Sequence, residues 1–101
     1  MPNHCLNTIT IGGSKNDISE FIKNELTQSV IHTQFANGIY FDIFSAWTAD
    51  TEWLEGLLIK YPSLWIKNMW TIVQDRKAGI WIGSKDGIRQ LEWDEPYYEI
   101  L

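Results

Sequence analysis

Hydrophobic and polar positions follow two different periods along the chain, and the switches between them mark the elements. From Cys5 to Ile11 the pattern alternates: Cys5, Ile9 and Ile11 share a face with Asn7, while Thr8 and Thr10 point the other way. This predicts a strand with one polar group on its apolar side. Gly12-Gly13 breaks it, and Ser14 with Asp17 three residues later forms a loose capping box. Ile18, Phe21, Ile22 and Leu26 then recur at helical spacing, predicting a helix over about 15–26. After a polar stretch ending at Asn37-Gly38, Ile39, Phe41 and Ile43 alternate with Tyr40, Asp42 and Phe44 as a second strand.

Ser45-Ala46-Trp47 leads as a loop into a second helix, with Thr48 or Asp50 as its cap and Pro62 as its stop. Trp53, Leu54, Leu57, Leu58 and Tyr61 form its apolar stripe. Three strands follow, over 64–73, 80–82 and 88–93, joined by turns at Asp75-Arg76-Lys77-Ala78-Gly79 and Lys85-Asp86-Gly87. The first of them is apolar on both faces, with Leu64, Ile66, Trp70 and Ile72 against Trp65, Met69 and Val73. The predicted order is β-α-β-α-β-β-β. An α+β two-layer sandwich, its antiparallel or mixed sheet carrying two helices on one face, packs these elements most economically.

Composition narrows the class. At 101 residues the chain is one domain, 1–101, with an acidic tail from about residue 94. At 45% hydrophobic residues it is too apolar for disorder, and no run approaches the ~18 apolar residues of a membrane helix. Met1-Pro2-Asn3-His4 lacks the basic start of a signal peptide, and the single cysteine, Cys5, suits a reducing compartment. A cytoplasmic protein is expected, without membrane association. The net charge of -5 disfavours nucleic acid as a partner, because phosphate backbones are bound chiefly through basic residues.

Candidate chemistry is sparse. His4, Cys5 and His32 are the only His and Cys residues and show no ligand spacing, so no metal site and no cofactor are expected. Cys5 sits on the apolar side of a core strand, where burial keeps a thiol protonated and inert. Ser45 lacks a nucleophile elbow. No catalytic residue is assigned. Gly12, Gly13, Ser14 and Lys15 stand where a strand meets a helix, the place of an anion cradle, although the full phosphate-loop pattern is absent and a tight turn with a cap is the commoner meaning. Asn7 on a buried face needs partners, and a tether to the loop carrying Ser45 to Trp47 is favoured over a pocket lining.

Five motifs then occur in order: Pro2-Asn3-His4-Cys5-Leu6-Asn7, Ser45-Ala46-Trp47, Trp53-Leu54, Lys60-Tyr61-Pro62-Ser63-Leu64 and Glu92-Trp93-Asp94-Glu95-Pro96. In these, from residue 2 to about 96, the chain resembles the YubB-type (Api-like) ferredoxin-like domain family of phage, prophage and plasmid proteins. The resemblance implies a ferredoxin-like fold and an accessory role in a mobile element, often directed at host proteins. It implies no iron-sulfur cluster, for which one cysteine cannot supply the ligands. It carries no catalytic residues to transfer.

The six tryptophans point to a partner. Trp53 and Trp70 fall to the core, and Trp93 closes the last strand. Trp47, Trp65 and Trp81, with Tyr97 and Tyr98 in the tail, are expected as surface anchors, steered by Glu92, Asp94, Glu95 and Glu99. The expected function is that of a non-enzymatic phage or mobile-element protein. It would bind a host protein and inhibit a host defence or nucleic-acid-processing system, with a homodimer as a further partner state. Two alternatives stay open: a nucleotide or other small-molecule binder, and a simple acid–base enzyme of the dimeric ferredoxin-like type built around His32 or an acid.

Overall fold

The computed structural model describes residues 4–26, 30, 32–46 and 48–94. In chain order the elements are β1 (His4–Gly12), α1 (Lys15–Glu25), β2 (His32–Phe35), β3 (Gly38–Ala46), α2 (Thr51–Lys60), β4 (Trp65–Ile72), β5 (Lys77–Ser84) and β6 (Gly87–Asp94). The strands form one sheet in the order β2-β3-β1-β4-β5-β6, antiparallel at every neighbour. The α+β class stands, with two helices against a six-stranded antiparallel sheet. The element order departs from expectation by one strand. β2 is a four-residue edge strand, His-Thr-Gln-Phe, whose only large apolar side chain is Phe35. So short and polar a strand has no readable period, and Asn37-Gly38 was its one local signal.

The helix boundaries follow their caps. Ser14 Oγ accepts the Asp17 backbone N–H at 3.1 Å, and an Asp50 carboxylate oxygen accepts that of Trp53 at 3.2 Å. Of the two proposed caps for α2, Asp50 is the one used. The helices bury Ile18 and Phe21 from α1, and Leu54, Leu57 and Leu58 from α2, against Ile9, Ile11, Ile39, Phe41, Ile66 and Trp81 of the sheet. Phe21 is the hub, its ring 6.1 Å from both Phe41 and Tyr61 and 6.5 Å from Trp53. Trp70 is half-buried and lies over Gly79, its cross-strand partner. No helix of the described residues is long and apolar enough to cross a membrane.

The C-terminal ends of the two helices are pinned together. Lys60 Nζ donates to Glu25 Oε2 at 2.7 Å, and the Tyr61 hydroxyl donates to the same oxygen at 2.9 Å. The hydrogen bond from Lys60 holds the Glu25 carboxyl below its usual range, against a smaller opposing effect of burial. A depressed carboxyl stabilises the fold above its unfolded value of about 4.3, and that contribution fades as pH falls through the lower folded value. Glu25→Gln should therefore flatten the acid side of the stability profile below about pH 4.3. Urea midpoints measured from neutral to acid pH check this; an unchanged acid slope would contradict it.

Candidate functional site

Register decides which side chains the helices cover. β1 sends Cys5, Asn7, Ile9 and Ile11 to the helix side, and their cross-strand partners on β3 and β4 go with them. On β5 the same parity selects Lys77, Gly79, Trp81 and Gly83, since Trp81 pairs with Asn68 and Gly83 with Ile66. Among the described residues no element covers the opposite side of the sheet, and we call it the open face. Of the eleven large apolar side chains that remain exposed among the described residues, eight lie on it: Phe35, Tyr40, Phe44, Trp65, Met69, Ile82, Leu91 and Trp93. Among the described residues its charged groups are Asp42, Lys67 and Arg89.

This surface sorts the expected anchors. Trp65 is one of them, 43% exposed, with its indole lying over Gly12, where an added Cβ would come within 2.3 Å of the ring. Trp81 is not. It is 1% exposed, packed over Gly83 beneath Leu58 of α2, and belongs to the core. The expectation of a surface Trp81 is thus corrected. In Ile80-Trp81-Ile82 all three side chains are large and apolar, so parity cannot be read locally; pairing with β4 sets it, and the isoleucines face outward.

Glu92 and Asp94 are exposed on β6 but alternate with Leu91 and Trp93, so they stand on the helix side of this edge strand. They therefore do not ring Trp65, and the expected surface of anchors and acids divides between two sides of the sheet. Trp47, Glu95, Tyr97, Tyr98 and Glu99 lie outside the described residues. Tyr40, Phe44, Met69, Leu91 and Trp93 were not named as anchors, although the alternation on β3 and β4 already set the first three opposite the core register.

At Gly12 to Lys15 the hydrogen bonding favours the tight turn with a cap over an anion cradle. Gly13 N–H donates to the Asn37 carbonyl at 3.1 Å, and Ser14 N–H donates to Ser63 Oγ at 3.0 Å. The Asp17 carboxylate occupies the mouth of the turn, accepting the Ser63 hydroxyl at 2.6 Å and its backbone N–H at 3.1 Å. A carboxylate already placed there repels a phosphate, and the Gly13, Ser14 and Asp17 amides are engaged within the fold. The segment works as a turn that ties α1 to the chain after α2.

Asn7 is a tether, as expected, but a larger one. Its Nδ2 donates to Ser45 Oγ at 2.9 Å, and Ser45 Oγ–H donates on to the Thr48 carbonyl at 2.6 Å. On its other side Asn68 Nδ2 donates to Asn7 Oδ1 at 2.9 Å, deep in the sheet. Both amides are 1% exposed. Asn68 was missed because it sits in an otherwise apolar strand, on the register of Ile66 and Ile72.

Cys5 is fully buried, and burial raises its thiol above the ordinary value despite hydrogen bonds to Ser45 and the Thr71 backbone that pull the other way. It is a core side chain in the reduced, protonated form. Among the described residues no group of three His, Cys, Asp or Glu side chains is placed to hold a metal ion. His32 stands half-buried on the edge strand β2. A shallow groove of about 620 Å³ at one end of the open face is lined by Trp65, Ile82 and Arg89, with the β5–β6 turn.

No protein-family model, no curated protein and no solved structure matches this chain.

Proposed function

We propose that this chain is a non-enzymatic protein-docking domain that works through the open face of its sheet. The observation that carries this is the concentration of eight large exposed apolar side chains on one face with three charged groups among them. The largest apolar patch on an ordinary monomer spans about 300–600 Å², and larger ones mark interaction sites. Tryptophan, tyrosine, phenylalanine and methionine are also the residues enriched where proteins dock.

The architecture belongs with the ferredoxin-like folds in this reading. β1 to β4 with their two helices run in the order β2-β3-β1-β4, each helix crossing one intervening strand, and the β5–β6 hairpin widens the sheet. The resemblance in the five motifs supplies the setting: an accessory protein of a phage or other mobile element, acting in the host cytoplasm on a host protein of a defence or nucleic-acid-processing system. Glu92 and Asp94, on the helix side of β6, offer such a partner an acidic contact separate from the open face.

A photo-crosslinking benzoylphenylalanine at Met69, on the open face, should give protein adducts in the cells that make the chain. The same group at Ile59, which is 82% exposed on α2, should not. Adducts at 59 with none at 69 would overturn the assignment of the surface.

A further inference from the structure

Resting on the open face as a docking surface, we propose that its occupant is a second copy of this chain, packed face to face about a two-fold axis. Three observations converge. The first is area. Strands about 4.8 Å apart with residues about 3.4 Å apart, less the short edge strand, make a face of about 700 Å². That is close to the roughly 800 Å² per partner of a stable interface.

The second is charge. The chain carries -5 overall, yet among the described residues the open face carries Asp42 against Lys67 and Arg89, a net +1 from one acid and two bases. An axis along the strands, between β1 and β4 at the middle of the sheet, places β3 over the second copy's β5. Asp42 then faces Ile80, and the row beside Ile80 is Lys67-Ile82-Arg89. Asp42 of each copy thus meets the other copy's Lys67 and Arg89, and the net-acidic remainder of the described residues faces outward. Two-fold symmetry requires such self-complementarity.

The third is shape. About the same axis large side chains meet small ones: Phe44 faces Ala78, and Met69 faces Thr8. The indole of Trp65 leans over Gly12 toward the midline, so the two Trp65 rings meet across the axis. Aligned sheets packed within about 30° of each other bury side chains in this way. Glu92 and Asp94 stay on the outside of such a dimer, available to a foreign partner.

The test is sedimentation of the full chain across the micromolar range, with circular dichroism confirming that each variant folds. The wild type should sediment at twice its chain mass. Asp42→Lys, and separately the pair Lys67→Asp/Arg89→Asp, should each weaken association by roughly tenfold or more, and mixing the two should restore a dimer. Ile59→Ser should leave the dimer intact. A wild-type monomer throughout would overturn the second copy as occupant while leaving the docking surface in place. A dimer that persists in Asp42→Lys and in Leu91→Arg would place assembly elsewhere and overturn the second copy as occupant of this face; absence of crosslinks at Met69 would overturn the docking surface itself.

Discussion

Trp81→Ala should destabilise the fold by about 3–5 kcal/mol, the cost of emptying a tryptophan site in a packed core. The same change at Trp65 should cost only about 1 kcal/mol, because a half-exposed ring gives up little buried area. The contrast follows from position. Trp81 fills the space between the sheet and Leu58 of α2, and Gly83 is small so that its ring can lie there. Its removal leaves a cavity that the neighbouring strands cannot close without moving α2. Against a total stability of about 5–15 kcal/mol, this is a large share. Thermal melts of the two variants decide it: at about 4–8 °C per kcal/mol, Trp81→Ala should melt at least 12 °C below the wild type, and Trp65→Ala within about 8 °C of it. The reverse ranking would mean that the sheet is packed on its other side.

Asn7→Ala should cost about 2–4 kcal/mol, more than its size suggests. Among the described residues the side chain is the sole partner of the Asn68 amide, whose Oδ1 is buried without a hydrogen bond. Truncating Asn7 therefore strands the Nδ2 end of a second buried amide as well, leaving it wholly unpaired, and frees Ser45 from its anchor on β1. Replacing both amides together, as Asn7→Leu with Asn68→Leu, should recover much of the loss, since no polar group is then left buried and unpaired. Denaturant unfolding of Asn7→Leu, Asn68→Leu and the double closes a double-mutant cycle, with an expected coupling of at least about 1 kcal/mol. Additive losses would show that the two amides do not act as a pair.

Much of this architecture could be read where a period is sustained or a cap has a mechanism. The alternation of β1 put Asn7 on the buried side beside Ile9 and Ile11, and Ser14 and Asp50 cap the two helices. The reading failed where local sequence has no contrast. Ile80-Trp81-Ile82 is apolar on both parities, so only its pairing with β4 assigns Trp81 to the core. β2 is too short and polar to show a period. Glu92 and Asp94 seemed to belong with the aromatic anchors because they are neighbours in sequence, but a strand sends neighbours to opposite faces. The open face itself was half visible as the minority register of β3 and β4. Its extension across β5 and β6 through Ile82, Leu91 and Trp93 needed the order of the strands.

That the open face is the working surface is tested most directly by hydroxyl-radical footprinting of the chain in the cells that produce it, compared with the purified chain in dilute solution. Trp65, Met69 and Leu91 should be protected together in the cell, while Ile59 on α2 and Val73 in the β4–β5 turn react equally in both states. Protection confined to the helices, or equal reactivity of Trp65, Met69 and Leu91 in both states, would contradict it.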